Sequence, residues 1–173
     1  MRTNNYAAVL RETISIDPGQ ALGCLLHYLA GPAKNKSAEL YGSWGSFGRL
    51  AAAAVYSATA RPVLYLTGHI DMADKAQDDL ETFSGQAVDI LPASELATGP
   101  INPVGEIAGE RLKLWRKLVS YRGNSPLLVS ASIAAVMQPA PTPSDLKKRS
   151  VTISIDAPQS VAMDKLIDWL VEA

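Results

Sequence analysis

The sequence predicts an α/β domain in which helices flank a parallel β-sheet. Three short apolar runs, at residues 62–67, 88–91 and 126–130, have the length and the valine, isoleucine and leucine content of buried strands. Between them lie longer segments whose apolar residues recur at helical spacing. Alternation of strands and helices favours parallel pairing, because parallel neighbours need a crossover connection.

The bulk composition narrows the class of protein. The chain has 173 residues, of which 47% are hydrophobic and 19% charged, as in a globular domain. A formal net charge of -1 gives no global attraction to nucleic acid or to an anionic membrane. A single cysteine rules out an intrachain disulfide. We see no signal peptide and no apolar run of roughly 20 residues, so we expect a cytoplasmic location.

The first helix is predicted to begin at Asp17-Pro18-Gly19, with Asp17 as its cap. Its apolar stripe ends before Gly31-Pro32 and comprises Leu22, Leu25, Leu26 and Leu29. Cys24 lies inside this pattern, and we interpret it as a buried, inert thiol. His27 is adjacent to the stripe and is interpreted as a packing or surface histidine.

Further helices follow at intervals. The alanine-rich run 50–58 predicts one, and Asp71 is expected to cap the next, whose shared face is Met72, Ala76, Leu80 and Phe83. Helical spacing resumes at Val104, through Ile107, Ala108, Leu112, Trp115, Leu118 and Val119. A short helical turn is expected at 132–137.

The predicted domain boundary lies in a proline-rich segment. We assign residues 1–138 to the first domain, 139–149 to a linker that opens with PAPTPS, and 150–173 to the beginning of a second domain. In the last part, VTISI at 151–155 predicts a half-buried strand. The helix 161–171 is expected to turn Leu166, Ile167, Leu170 and Val171 inward.

The loop Gly42–Arg49 has the predicted setting of a phosphate-binding loop: strand at 37–41, glycine-rich loop, helix. A working loop reads GxxxxGK[ST], in which glycines let backbone N–H groups surround phosphate, lysine reaches the outer phosphates and a hydroxyl holds magnesium. Here the second glycine is replaced by Phe47, the lysine by Gly48 and the hydroxyl residue by Arg49. We therefore predict that the chain hydrolyses nothing by itself.

Two interpretations of this degenerate loop stay open. Gly42, Gly45, Gly48 and Arg49 form either a purely structural turn or a residual anion site, in which Arg49 and the helix N-terminus hold phosphate. Arg49 cannot coordinate magnesium. No cofactor and no metal ion are expected for this chain.

The remaining polar residues form no catalytic constellation. His69 follows a strand and is interpreted as a capping residue. Glu106 and Glu110 are one helical turn apart and are interpreted as a solvated face beside lysines. The basic cluster Lys147-Lys148-Arg149 is either a solvated linker end or a contact to a partner or to DNA.

Several segments together resemble one family. The segment 91–141, LPASELATGPINPVGEIAGERLKLWRKLVSYRGNSPLLVSASIAAVMQPAP, is similar to the N-terminal module of the bacterial transcription-repair coupling factor, Mfd, which in turn resembles the first domain of UvrB. It holds a strand ending in Leu-Pro, a helix with Glu-Arg-Leu at 110–112, and a strand running to Met137-Gln138. The segments 62–83 and 164–173 also match in order, so the resemblance covers roughly 37–173.

The resemblance implies a fold and a function. It implies a P-loop-NTPase-like parallel sheet, a degenerate helicase-type domain, followed by the first strand and helix of a UvrA-binding domain. In UvrB this domain carries a working ATPase loop, whereas the coupling factor uses ATP in a separate motor downstream. The implied function is a non-catalytic interaction module that helps recruit UvrA to stalled RNA polymerase during nucleotide excision repair.

Two departures from the family pattern matter. The family's aromatic connector, of the W-E-x-L-P-Y-D type, is replaced by LPASELATGP at 91–100. Family members continue where this chain ends at Ala173, through the main UvrA surface and the polymerase and DNA-translocating modules. We therefore expect an excised N-terminal fragment or a very short relative. The alternative function is a divergent nucleotide-binding domain that uses Arg49 as its phosphate ligand.

Overall fold

The computed structural model describes residues 21–32, 37–41, 43–93, 105–123, 127–148, 150–151, 153 and 162–172. The chain divides into two compact units, Met1–Pro139 and Ala140–Ala173. In chain order the first contains α1 (Ala21–Ala30), α2 (Phe47–Thr59), β1 (Val63–Thr67), α3 (Ile70–Ser84), β2 (Asp89–Leu91), α4 (Glu106–Ser120), β3 (Leu128–Ser132) and α5 (Ile133–Val136). The second contains α6 (Pro143–Lys148) and α7 (Met163–Glu172).

The described strands form a three-stranded parallel sheet in the order β1-β3-β2. Along the first pair the register runs from Val63 opposite Leu128 to Thr67 opposite Ser132. On the other side of β3, Asp89 lies opposite Val129. The predicted α/β class, with a parallel sheet flanked by helices, is confirmed. β3 is buried along its whole length because it is the central strand.

Successive side chains of β3 point to opposite faces of the sheet, as in any strand, and so belong to two separate cores. Leu128 belongs to a core that α2 and α3 build on one face, with Ala53, Tyr56, Ala76, Leu80 and Val88. Val129 and Ala131 belong to a core on the other face, where Leu114 of α4 and Ala135 of α5 pack. Helices therefore cover both faces of the sheet.

Small residues let α3 lie close to the sheet. The hydroxyl of Ser130, fully buried in β3, donates to the backbone oxygen of Ala73 at 2.8 Å. The helix also satisfies the backbone at Val88, just before β2: Gln77 Nε2 donates to its oxygen at 2.8 Å, and its N–H donates to Glu81 Oε1 at 3.0 Å. These bonds attach the residue that precedes β2 to α3.

β1 is not the fully buried strand that its composition predicts. The strand itself is present, but Leu64 is 53% and Leu66 is 50% exposed. By register they share a face with Val129 and Ala131. The helix on that face, α4, packs against β2, at the opposite edge of the sheet. A continuous apolar run cannot reveal from sequence whether a strand lies at the edge or in the centre.

The predicted strand at 37–41 is wrong. Residues 37–41 have no regular secondary structure, and all but Leu40 are exposed. Tyr41 donates its hydroxyl hydrogen to the nearby Glu39 carboxylate instead of packing in the sheet. The chain therefore reaches α2 from an irregular segment and not from a strand of the sheet.

The helix ends differ in part from the prediction. His69, not Asp71, occupies the N-cap position of α3, with no capping bond from its side chain. The buried residues of α3 are Ala73, Ala76, Leu80 and Ser84; Phe83 is half-buried and Met72 is exposed. Both α2 and α3 end in a residue of left-handed conformation, Ala60 (φ 51°) and Gly85 (φ 65°).

In α1, which packs on α2, only part of the expected stripe is deeply buried. Leu26 is buried, whereas Leu22, Leu25 and Leu29 are half-buried. Cys24 is exposed, so the prediction of a buried thiol is wrong. Cys24 lies on a part of α1 that the contact with α2 leaves uncovered. The predicted cap Asp17-Pro18-Gly19 lies outside the described residues.

In α4 the inward face is rotated from the predicted one. Arg111 and Leu114 are buried, whereas Ile107, Leu112 and Val119 are exposed. Trp115 and Leu118 pack against the core as expected. Lys117 forms an ion pair with Asp89, which ties α4 to the start of β2.

The second unit begins with a helix inside the predicted linker. Thr142 caps α6: its Oγ1 accepts from Asp145 N at 3.2 Å, while Asp145 Oδ2 accepts from Thr142 N at 3.3 Å. With Pro143 at the first position, this is a capping box, which the sequence TPSD contains. The segment 139–149 is therefore only partly irregular.

The rest of this unit is described in part. Of the predicted strand 151–155 only Val151 and Ile153 are described, and neither lies in a strand. The predicted last helix is present as α7. Leu166 and Trp169 are half-buried, whereas Ile167, Leu170 and Val171, expected inward, are exposed.

Candidate functional site

The degenerate phosphate loop is a tight turn leading into α2. Gly45 has φ 56°, a conformation that glycine adopts without strain, and the N–H of Phe47 donates to the oxygen of Trp44 at 3.1 Å. The oxygen of Ser46 then accepts from both Arg49 N and Leu50 N at 3.0 Å. Gly42 lies outside the described residues. The loop therefore forms an ordinary helix entry.

Gly48 lies inside the first turn of α2, close to β1. A Cβ atom built there would lie 3.4 Å from the hydroxyl oxygen of Tyr65 on β1. That distance is a close contact with the end of a flexible side chain. Gly48 stands where a phosphate loop has its lysine, and its described contact is with the sheet.

Two polar side chains of the loop converge on one carboxylate of α3. Ser46 Oγ donates to Asp79 Oδ2 at 2.7 Å, and Arg49 Nη1 donates to the same oxygen at 2.7 Å. The side chains of Arg49 and Asp79 are 12% and 31% exposed. The Ser46 hydroxyl and the Arg49 guanidinium together hold the pKa of Asp79 below its ordinary value of 3.8.

This cluster changes what the loop can do chemically. A phosphate would have to compete with the Asp79 carboxylate for Arg49, and it would approach that carboxylate's negative charge. The Ser46 hydroxyl is committed to the same carboxylate and does not cap α2. The arrangement joins α2 to α3 and offers no free cation within the described part of the loop.

The outer surface of the loop is aromatic. Tyr41 is 84% and Trp44 is 83% exposed, and Phe47 is also exposed. Large aromatic side chains are enriched in protein interfaces, where they contribute much contact area with few rotatable bonds. The described surface of the loop therefore presents aromatic side chains, in contrast to the polar lining of a nucleotide site.

The other predicted polar residues are dispersed. His27 and His69 are exposed, on α1 and at the start of α3. Glu106 and Glu110 are exposed on α4, and Glu110 pairs with Lys113 at 3.7 Å, as expected for a solvated helical face. Among the residues that the structure describes, no group of three or more histidine, cysteine, aspartate or glutamate side chains could hold a metal ion.

The basic cluster lies in the second unit. Lys147 and Lys148 are exposed in the last turn of α6, where positive charge is favourable beside the helix C-terminus. Arg149 lies outside the described residues. The two described lysines are accessible to an anionic partner.

Sequence reasoning missed two of the residues that define the polar interior. Asp79 is 30 positions from Arg49, and nothing local marks it as a partner. Arg111 is 7% exposed, and its Nη1 donates to the oxygens of Pro92 at 2.6 Å and Ala135 at 3.3 Å. The sequence could have indicated that Arg111 is buried, because it shares helical spacing with Leu114, Trp115 and Leu118.

Comparison with known proteins gave no match: no family model, no curated protein and no solved structure matches the chain. Each helix within the described ranges is too short or too polar to cross a bilayer.

Proposed function

We propose that this chain is a non-catalytic interaction module of a transcription-repair coupling factor, which helps recruit UvrA to stalled RNA polymerase. The ordered resemblance of its segments to that family motivates the proposal. The observation that carries the non-catalytic part is the ion pair of Arg49 with Asp79, which occupies the only cation of the degenerate loop.

We also propose that the parallel sheet belongs to a P-loop-NTPase-like domain. Parallel pairing in the order β1-β3-β2, with helices on both faces, supports this fold. The position of the loop, immediately before a helix that packs on β1, supports it further. The absence of a strand at 37–41 is the feature that a typical member would not share.

The loss of phosphate chemistry has a structural counterpart. A working loop needs a mobile lysine and a hydroxyl directed at magnesium. Here Arg49 and the hydroxyl of Ser46 both bond to Asp79, so these two polar side chains of the loop stabilise the fold. The exposed aromatic residues Tyr41 and Trp44 would instead face a protein partner.

The alternative, a divergent nucleotide-binding domain, requires Arg49 to leave Asp79. Titration with ATP and magnesium tests it, with tryptophan fluorescence of wild-type protein and of a Trp44→Phe variant separating the Trp44 signal from that of the other two tryptophans. We expect no saturable change, and none in Arg49→Ala. Saturable micromolar binding that Arg49→Ala abolishes would favour the alternative.

UvrA binding tests the main proposal. The family's principal UvrA surface is expected beyond Ala173, so purified UvrA should be offered to the product of the complete reading frame that carries this chain. We expect retention of UvrA on that product. No retention, at protein concentrations well above micromolar, would contradict the proposal.

The proposal includes a cytoplasmic location and contact of the remaining family modules with RNA polymerase and DNA. Lys147 and Lys148 are the described residues of this chain with the charge for a DNA contact. Replacing both with glutamine should lower the affinity of the reading-frame product for DNA and reduce its salt dependence. Unchanged affinity would assign these lysines to the solvated end of α6.

A further inference from the structure

The outer strand β1 leaves apolar side chains uncovered on one face of the sheet. Leu64 and Leu66 share the face of their register partners Val129 and Ala131, yet they are 53% and 50% exposed. The two partners in β3 lie in the core to which α4 and α5 contribute. Within the described structure, helices therefore cover the central strand on this face but leave much of β1 open to solvent.

The contact of Lys117 shows how α4 lies on this face. Its side chain pairs with Asp89 at the start of β2, so this flank of the helix faces β2. Leu112 and Val119 lie roughly 140–160° around the helix from Lys117, on the opposite flank. They are 46% and 38% exposed. Because the strand order is β1-β3-β2, the flank that faces away from β2 is directed toward β1.

The exposed side chains of α4 and β1 lie at matching heights along the sheet. Asp89, the partner of Lys117, is level with Leu64, since both pair with the same residue of β3. Leu112 lies five residues before Lys117, about 7.5 Å along the helix. Leu66 lies two residues after Leu64, about 6.6 Å along the strand. Because α4 connects two parallel strands and runs opposite to them, both steps lead toward the carboxyl edge. One apolar surface results, which we call the β1 surface: Leu64, Leu66, Leu112 and Val119.

The described charges beside the β1 surface are positive. Arg116 is exposed on α4, one helical turn from both Leu112 and Val119. Arg122 follows the helix, and its Nη1 donates to the oxygen of Val119 at 3.1 Å. Arg61 is exposed two residues before β1 begins. Arg61 and Arg122 lie at the amino edge of the sheet, where β1 begins and α4 ends.

The acidic residues of α4 lie on its other flank. Glu106 and Glu110 share a helical row with Lys113 and Lys117, at intervals of three and four residues. Glu110 pairs with Lys113 at 3.7 Å, and Lys117 pairs with the start of β2. The three arginines beside the β1 surface belong to no described ion pair. Among the described residues, the β1 surface therefore has a positive border.

The dimensions of the open region favour a helix as its partner. Neighbouring strands lie about 4.8 Å apart and a helix is about 10 Å wide, so one helix covers about two strands. α4 packs against β2, which leaves room for one more helix over β1. A strand added at the edge of β1 would leave the side chains on the face uncovered. Four half-exposed side chains also present well under the roughly 800 Å² per partner of a standard interface, which disfavours a second globular copy.

We propose that the β1 surface binds an amphipathic helix of another protein, and that the polar residues of this helix are acidic. Such a helix places apolar anchors at i, i+3, i+4 and i+7 against the β1 surface. Its carboxylates lie beside the three arginines, which excludes a basic helix. Gly48 contacts Tyr65 on the opposite face of β1. A helix on the β1 surface therefore does not compete with a partner bound at the aromatic residues beside Gly48.

Fluorescence anisotropy with two synthetic peptides tests the proposal on the full chain. Both are fluorescein-labelled peptides of about 15 residues, or four helical turns, with leucine at the anchor positions. One carries glutamate at the other positions, and its counterpart carries lysine there. We expect the glutamate peptide to bind with a Kd of about 10–100 μM and the lysine peptide to bind at least about tenfold more weakly. Circular dichroism should show that the glutamate peptide gains helix on binding.

A matched pair of variants locates the binding. Leu112→Glu places a negative charge on the β1 surface and should weaken binding of the glutamate peptide at least about tenfold. Ile107→Glu places the same charge on the other side of the same helix, at a position of similar exposure, 41% against 46%, and should bind as the wild type does. Thermal unfolding verifies that both variants fold. Arg116→Gln keeps the apolar surface intact and should weaken binding about threefold, so it provides the test even if Leu112→Glu does not fold.

Several outcomes would overturn the proposal. They are the absence of saturable binding by the glutamate peptide at millimolar concentration, equal binding of the two peptides, and equal losses in Leu112→Glu and Ile107→Glu. Binding without a gain of helix would indicate strand addition at β1 instead. Sedimentation of the chain alone and with phosphatidylserine vesicles tests the other occupants. A dimer, or vesicle binding, that Leu112→Glu abolishes would assign the surface to a second copy or to a membrane.

Discussion

The guanidinium of Arg49 lies 2.7 Å from Oδ2 of Asp79, across the packing contact between α2 and α3. This contact turns the one cation of a degenerate phosphate loop into a link between helices. Its energetic value follows from partial burial, since a pair that is only 12% and 31% exposed loses more on removal of one partner than a fully solvated pair does.

Removing the shared carboxylate should destabilise the first unit. Asp79→Ala leaves Arg49 partly buried without a counter-charge and removes the acceptor of Ser46, so we expect a loss of about 1–2 kcal/mol in the free energy of unfolding. Urea denaturation measures it. Asp78→Ala, at the exposed neighbouring position, is the control and should change stability by less than about 0.5 kcal/mol. Equal effects would show that the cluster contributes nothing.

The same carboxylate predicts an acid dependence. Its pKa in the folded chain lies below the ordinary value of 3.8, so its contribution is present above that pH and is lost as the pH falls through the folded pKa. The stability difference between wild type and Asp79→Asn should therefore be largest near neutral pH and shrink in acid below 3.8. A difference that grew on acidification would contradict the assignment.

The stability of the protein should depend more on the volume of the side chain at position 130 than on its polarity. Ser130→Ala removes one buried hydrogen bond, to the oxygen of Ala73, and should cost about 1 kcal/mol. Ser130→Val adds bulk where α3 lies close to the central strand and should cost about 2–3 kcal/mol. Chemical denaturation of the two variants gives the comparison. A smaller loss for valine than for alanine would show that α3 can move away from the sheet.

The two left-handed helix ends form a matched pair. Ala60 bears the strain of a left-handed conformation after α2, whereas Gly85 adopts it without strain after α3. Ala60→Gly should stabilise by about 0.5 kcal/mol, after the higher entropy of unfolded glycine is subtracted, and Gly85→Ala should destabilise by about 1 kcal/mol. Thermal unfolding measures both. Changes of the same sign would be inconsistent with these backbone conformations.

The periodicity of the sequence predicts most elements of the fold but not which side of each one is buried. The runs at 62–67, 88–91 and 126–130 all contain strands, because short apolar segments bounded by turns leave few other options. The exposure of Leu64 and Leu66 could not be predicted, since it depends on which strand becomes central. The strand at 37–41 was predicted from the loop that follows it, and its own apolar side chains are too few, and form too short a run, to decide between a strand and an irregular segment.

The candidate site was predictable only where chemistry is local. Gly48 and Arg49 in place of lysine and a hydroxyl residue already indicate a loop without phosphate chemistry. The partner of Arg49 is not local: Asp79 is one of several acidic residues on an amphipathic helix, and the packing of α2 on α3 selects it. Arg111 was overlooked because Leu112 is more apolar, although the helical spacing of Leu114 and Leu118 favours the arginine position.

The last strand that the structure describes, β3, lies in the middle of the sheet, and this has a consequence for folding during synthesis. Val63 pairs with Leu128, and Asp89 pairs with Val129. Both outer strands of the described sheet therefore depend for their hydrogen bonds on β3, which is synthesised after them. While the ribosome has not yet released β3, the N–H and C=O groups of β1 and β2 have no partner within this sheet. Leu128–Ser132 therefore has to close two long loops at once, and we expect slow, strongly cooperative folding that completes only after this segment has emerged.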